Sequence, residues 1–270
     1  MIEALGYAFF QRAILAGVIA GGLCGLLSVY VVARRMAFIG QGIAHAAFGG
    51  IALGLFLGIA PTPLAALFGI IMALGVSALS RGDKVSSDTL IGLLMASLMA
   101  LGVVFLALSS GYTGSVTSYL FGNILAVERT DLIWLSATAL AGILYVTIFY
   151  KELKFYTFDQ RMARIYRIPV AGIRTGFLTI IALAVISSIQ VVGIILVTAL
   201  LVIPGAIAML LGRRFSELVI ISVITGIVSA AGGLALSYAL DIPSGATIVL
   251  LLAAVFAVVY IVTRAAGEKN

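Results

Sequence analysis

The sequence predicts an all-α transmembrane protein, a bundle of about nine membrane-spanning helices that forms a single domain over residues 1–270. Of the 270 residues, 63% are hydrophobic and only 10% are charged, and the mean hydropathy is +1.26. A soluble domain is typically about 45–50% apolar and about 25% charged. This chain therefore lacks the polar surface that water would require. Its apolar runs are long and do not alternate, which favours helices over a β-barrel.

Nine apolar runs approach the roughly 20 residues that a helix needs to cross a bilayer. They cover 10–33, 42–60, 63–80, 89–109, 132–150, 172–189, 191–211, 217–240 and 245–264. Only a polar connection around Gln190 separates the sixth run from the seventh. Eight spans with one broken helix are therefore the alternative to nine.

The basic residues predict the orientation of these spans. With nine spans and the N-terminus outside, all of the 16 lysines and arginines except Arg12 and Arg129 fall in cytoplasmic segments. Short cytoplasmic loops are enriched in Lys and Arg. We therefore expect an outside N-terminus and a cytoplasmic C-terminus. The net charge of +6 is spread over short loops, so it indicates membrane topology and no nucleic-acid partner.

Two connections are longer than a tight turn. The outer one, 111–130, contains the apolar stretch SYLFGNIL, which is too short to span the membrane. A re-entrant or interfacial segment fits this pattern, because such a segment is tolerated where protein covers it. The cytoplasmic one contains the segment 155–170, in which FDQRMARIYRI predicts a short helix.

That short helix has Asp159 as its N-cap, with Gln160 also available at the start, and it ends at Pro169. Its apolar and basic residues fall on different faces: Phe158, Met162 and Ile165 with Ala163 beside them, and Arg161, Arg164 and Arg167. The pattern is compatible with a helix on anionic lipid headgroups and with a docking helix for a cytoplasmic partner.

The stretch GQGIAHAAFGG contains the only histidine, His45, with Gln41 one helical turn before it on the same face. Counted from Ala37 at 1.5 Å per residue, His45 would lie ~12 Å deep, near the middle of the membrane. A polar residue inside a span is a functional-site hypothesis by default. A neutral imidazole can ligate a transition metal, with the Gln41 carbonyl as a weak oxygen donor. The alternative is a histidine that hydrogen-bonds a neighbouring helix.

A closed zinc site needs four ligands, so one histidine and one cysteine can support only a sparse, transient contact. Asn123 and Asp241 are placed near the outer face by the topology and are candidate residues of an ion entry. The chain has no G-x-x-x-x-G-K-[ST] loop, no H-E-x-x-H and no G-x-S-x-G. We therefore expect no catalytic residues, no permanently bound cofactor and no ATP hydrolysis by this chain.

Four motifs in order give the chain a resemblance to the membrane permease subunits of metal-importing ABC transporters, the zinc/manganese/iron class called the ABC-3 family. The motifs are SVYVVARRMAFIGQGIAHAAFGGIALG, FDQRMARIYRIPV, QVVGIILVTALLVIPGAIAMLL and DIPSGATIVL. The resemblance covers most of the chain.

The resemblance implies a transport subunit in a bacterial or archaeal cytoplasmic membrane. Two copies of the chain would pair in the bilayer, two copies of a separate ABC ATPase would bind the helix at Asp159 to Arg167, and an extracytoplasmic metal-binding protein would deliver the ion. The coupling residues implied are Asp159, Gln160, Arg161, Ala163, Arg164 and Arg167. The transported ion, zinc or manganese, would be substrate, moved by alternating access.

The family's transmembrane site uses an acidic residue and a histidine in the second span. His45 matches the histidine, and Gln41 stands where the acid would be. A neutral amide is a poorer ligand for hard Mn²⁺ than a carboxylate, which favours zinc slightly. A second departure is Arg167, where the family usually has a small residue. The alternatives are an ABC permease for a metal chelate or cobalamin-like ligand, and a metal carrier outside the ABC class.

Overall fold

The computed structural model describes residues 8–80, 85–109, 127–158 and 160–267, and the described residues are helices and short connections with no strand. Nine helical segments within them are long and apolar enough to cross a membrane. The helices are α1 Ala8–Ala33, α2 Ile39–Leu57, α3 Pro61–Leu79, α4 Ser87–Leu108, α5 Arg129–Ile148, α6 Tyr150–Phe158, α7 Gln160–Ile165, α8 Val170–Val192, α9 Ile194–Leu200, α10 Ile203–Leu211, α11 Phe215–Leu240 and α12 Ser244–Gly267. The predicted all-α transmembrane bundle is confirmed.

The seventh span is the broken one, because α9 and α10 together cross the membrane with an interruption at residues 201–202. Pro204 explains the interruption: its ring would clash with the carbonyl of Leu200, where α9 ends. The boundary expected at Gln190 is displaced. Helix α8 continues through Gln190 to Val192, and Gly193 turns the chain at φ 82°, a conformation that glycine adopts without strain.

Helices α1, α2 and α8 are the most buried spans, whereas α4, α5 and α12 expose most of their apolar surface. Helix α1 packs closely against α11. A Cβ on Gly21 would lie 2.5 Å from the carbonyl oxygen of Gly226, and one on Gly25 would lie 2.7 Å from that of Ser222. Small residues allow such close approach in lipid, where helix association depends on van der Waals packing and hydrogen bonds.

Polar side chains also join the spans. The Ser222 hydroxyl donates to the Gly25 carbonyl at 2.6 Å, and the Gly205 amide at the start of α10 donates to Ser28 Oγ at 2.8 Å. Arg174, only 7% exposed, donates from α8 to the carbonyl of Ser80 at 2.9 Å. These contacts place residues of α1, α3, α8, α10 and α11 at matching heights in an alternating bundle.

One end of the bundle contains residues 34–38, α6 and α7, and it is called the basic end here. The predicted outer segment, 111–130, lies for the most part outside the described residues. Its last two residues, Arg129 and Thr130, form the first turn of α5 instead. The Glu128 amide donates to Asp131 Oδ2 at 3.0 Å, so these two acidic residues cap that helix.

We expect Gly21→Ala to destabilise the protein by about 1–3 kcal/mol, because the new methyl group would overlap the backbone of α11. The matched control is Gly22→Ala on the same helix. Its methyl group would lie 3.4 Å from the side chain of Ile227, within ordinary contact distance. Thermal unfolding of the two variants in detergent provides the measurement. Equal melting temperatures would contradict the assigned packing of α1 on α11.

Candidate functional site

The candidate metal residues lie on the one face of α2 that its neighbours leave open. Gln41 and His45 are half-buried, as is Phe48 one turn further, and Phe38 before the helix is 56% exposed. The residues between them, including Ile43 and Ala44, are fully buried. Four positions at helical spacing therefore form a stripe, here called the open face of α2, that contains both polar side chains.

Glycines on either side of Gln41 explain why this face is open. A Cβ on Gly40 would lie 2.9 Å from Leu201 Cδ1 and 3.6 Å from Thr198 Cγ2, at the interruption between α9 and α10. A Cβ on Gly42 would lie 2.7 Å from Met72 Cε on α3. Helix α2 is thus held closely on two sides, and Gln41 projects between them.

His45 lies closer to the basic end than we expected. The chain turns at residues 34–38, and α2 begins only at Ile39. Six residues of helix raise His45 by about 9 Å above that start, whereas the whole helix is about 28 Å long. The expectation of ~12 Å, near the middle of the membrane, counted from Ala37, which belongs to the turn.

The other two residues of the predicted metal path do not join this pair. Asp241 is exposed and follows α11 at φ 54°, where it forms the left-handed C-cap of the helix. This position is at the end of the bundle opposite the start of α2. Asn123 lies outside the described residues. The described residues contain no group of three or more His, Cys, Asp or Glu side chains that could hold a metal ion.

A small cavity of about 20 Å³ lies on another side of α2, between Ala44, Ala47, Ile186 and Gln190. It is about large enough for one water molecule. Neither Gln41 nor His45 lines it. The single chain therefore offers one imidazole nitrogen and one amide oxygen on an open helix face, which is half of a four-ligand set.

The predicted docking segment is two short helices rather than one. Helix α6 extends to Phe158, and α7 covers only Gln160–Ile165. Asp159 lies outside the described residues, as do the side chains of Gln160, Arg161 and Arg164. Ala163 is fully buried, so it packs against the protein rather than facing outward.

The apolar residues expected on one face of this segment are turned outward. Phe158 is 55% exposed, Ile165 70% and Tyr166 62%, with Met162 at 37%. We call these four residues the docking surface. Helix α6 is anchored from below by Leu153 and Tyr156, which are almost fully buried.

Arg167 occupies a backbone conformation that explains why a small residue would suit this position. Its φ is 54°, and the amide of Ile168 donates to the carbonyl of Ala163 at 2.9 Å, which closes a helix-ending turn that usually has glycine at its left-handed position. The charge of Arg167 is compatible with this turn, but its Cβ is strained.

Comparisons with known proteins identify the family. The model of the ABC 3 transport family matches residues 6–263, so the chain belongs to that family of ABC transporter membrane components. It is a transport component rather than an enzyme. Membership also excludes the alternative of a carrier outside the ABC class.

Individual relatives are similar over nearly their full length. A manganese transport system membrane protein of Halalkalibacterium halodurans is 34% identical and covers 96% of this chain and 88% of the relative. A chelated iron transport system membrane protein of Yersinia pestis is 32% identical, with 96% and 87% covered. The solved PsaBC structure from Streptococcus pneumoniae matches with a TM-score of 0.84 at 28% identity over 100% of this chain and 98% of that one.

We expect Arg167→Gly to stabilise the protein by about 1 kcal/mol, since glycine adopts a positive φ without the steric cost of a Cβ. Arg167→Ala removes the same charge but keeps the Cβ, so it should give no such gain. Thermal unfolding of both variants in the same detergent distinguishes backbone strain from charge. A gain of equal size in both would show that charge repulsion, rather than backbone strain, is relieved.

Proposed function

We propose that this chain is the permease subunit of an ATP-driven importer of a divalent transition metal ion, zinc or manganese. The observation that supports this best is the pair Gln41 and His45 on the open face of an otherwise tightly packed membrane helix. The printed names of the manganese and iron relatives point to the same class of substrate. Both relatives are bacterial, which supports a bacterial cytoplasmic membrane as the location.

The ligand count favours a pair of these chains. One copy offers two donors, and a two-fold axis beside the open face would bring two imidazole nitrogens and two amide oxygens together. Four ligands suffice for zinc. A set without carboxylates binds weakly, which suits a site that must also release its ion. The two copies would then enclose the metal path between them.

The transport cycle is assigned to partners that supply energy and substrate. A separate ABC ATPase dimer binds the docking surface at the basic end, which is the cytoplasmic end under the predicted orientation. An extracytoplasmic metal-binding protein delivers the ion at the opposite end. ATP binding and hydrolysis alternate the access to the open faces of α2, where Gln41 and His45 hold the ion briefly.

The choice between zinc and manganese depends on Gln41. An amide oxygen beside an imidazole suits zinc, whereas a carboxylate would favour the harder manganese ion. The relatives named for manganese weigh in the other direction. A metal chelate is the competing substrate, supported by the relative named for chelated iron.

The first test measures uptake of radioactive zinc and manganese into proteoliposomes that contain this chain, its ATPase and its delivery protein. We expect His45→Ala to reduce ATP-dependent uptake at least tenfold, because it removes the only imidazole. Gln41→Asp should increase manganese uptake relative to zinc. Asp241→Asn, at an exposed helix cap, is the control for a general effect on folding.

Normal uptake by His45→Ala would exclude the assigned ion site. The same vesicles with a ferric chelate in place of free metal test the competing substrate. If wild-type protein imports only the chelate, the free-ion proposal is wrong, although the assignment as a permease stands.

The docking surface generates a separate prediction. Ile165→Asp should weaken binding of the ATPase at least tenfold, because a carboxylate would replace an apolar side chain that is 70% exposed. Val85→Asp, another exposed apolar residue at the same end, is the matched control. Co-purification of the ATPase with each variant provides the measurement. If Ile165→Asp binds the ATPase normally, α7 lies on lipid headgroups instead.

A further inference from the structure

Six aromatic side chains meet at the basic end and are called the aromatic cluster here. They come from α1, α6, α8 and the start of α11, and they are Tyr30, Tyr150, Tyr156, Phe158, Phe177 and Phe215. Ring centroids are 5.5 Å apart for Tyr30 and Phe177, and 5.4 Å for Tyr30 and Phe215. These separations are those of favourable aromatic pairs.

Helix α6 contributes three of the six rings, and each of them contacts a membrane-spanning helix. The Tyr156 ring is 6.4 Å from Phe177 on α8, while Tyr150 and Phe158 are 5.6 and 5.5 Å from Phe215 on α11. Phe158 also belongs to the docking surface. A displacement of the docking surface therefore reaches the spans through rings that are packed face to edge.

A single cation extends this contact to the metal residues. The Arg34 guanidinium lies over the Tyr156 ring, with 4.6 Å between its Cζ atom and the ring centroid. Arg34 directly follows α1, and the next residue, Arg35, reverses the chain at φ 53°. The turn leads into α2, whose third residue is Gln41. The contact thus joins α6 to the turn that begins the candidate metal helix.

The chemistry of the contact suits a mechanical connection rather than a proton switch. Tyr156 is 1% exposed, and burial raises the pKa of its phenol, which the neighbouring Arg34 offsets only in part. The phenol is therefore neutral over the physiological pH range. A cation is attracted to the whole ring face within about 6 Å of its centroid, so the pair can remain in contact when α6 is displaced slightly.

We propose that Arg34 and Tyr156 are positioning residues for transport: they transmit movement of the docking helix to α2 and so change the access to Gln41 and His45. The inference rests on the proposed function for the identity of the cargo. Neither residue touches the ion. Their role is to couple ATP hydrolysis by the partner subunit to the exposure of the open face of α2.

The test compares variants that keep or remove the two halves of the contact in reconstituted complexes. Tyr156→Leu removes the ring and Arg34→Met removes the charge, while Tyr156→Phe keeps the ring and Arg34→Lys keeps a cation. We expect the first two to retain at least half of the ATPase rate but to import at least tenfold less metal per ATP. The two conservative variants should stay within twofold of wild type.

Phe105→Leu is the control for removal of any aromatic ring, because Phe105 stacks on Phe56 away from the basic end, with 6.2 Å between their centroids. It should leave the ratio of metal to ATP unchanged. A merely structural role for Tyr156 and Arg34 would lower assembly and ATPase rate together with uptake, and the ratio would not change. That result would overturn the inference.

A second measurement does not depend on the cargo. In a Cys24→Ser background, Gln41→Cys reports the access to the open face through its rate of reaction with a water-soluble thiol reagent. We expect ATP with vanadate to change this rate at least fivefold, and Arg34→Met or Tyr156→Leu to abolish the change. A response that persists in both variants contradicts the inference. Failure of the wild type to import metal, with the labelling response intact, would instead contradict the proposed cargo alone.

Discussion

The close packing of α2 against α3 and α4 is the constraint on which the candidate site depends. A Cβ on Gly50 would overlap the carbonyl of Leu64, and one on Gly49 would lie 2.6 Å from the carbonyl of Leu98. Apolar surface alone does not drive helices together in lipid, so this contact depends on small residues that let the backbones approach. Because the small residues occupy the packed sides of α2, its remaining side is the one that contains Gln41 and His45.

This arrangement separates the polar groups that hold the bundle together from those that remain available. Ser28, Ser222 and Arg174 form hydrogen bonds to main-chain groups of other helices, which satisfies backbone and side chain together inside the membrane. Gln41 and His45 lie instead on a half-open surface with only two donors. A site completed by a second copy would exist only in the assembled transporter, and this limits how tightly a single subunit can retain metal.

Much of the fold was predictable from the sequence. All nine spans were located to within a few residues, because apolar runs of membrane length have no alternative solvent. The displaced boundary at Gln190 and the interruption before Pro204 were not anticipated, since hydropathy does not register a glycine turn or a clash with a carbonyl four residues earlier. The docking segment was expected as one helix from its apolar and basic pattern, but that pattern does not show where a short helix ends.

The candidate site was predictable in part. Gln41 and His45 follow from the sequence, because a histidine in an apolar span is a conspicuous exception and a spacing of four residues puts both on one face. No such signal exists for Arg34 and Tyr156, which are far apart in the sequence and of ordinary residue types for a loop and an amphipathic segment.

The sequence by itself thus determined the solvent, the class of fold and the helix that contains the candidate ion residues, since composition and local spacing are sufficient for each. Only the tertiary structure decided which face of α2 stays open and which ring lies beneath Arg34. Both depend on contacts between helices distant in the chain, whose relative heights and rotations are set by the packing of the whole bundle.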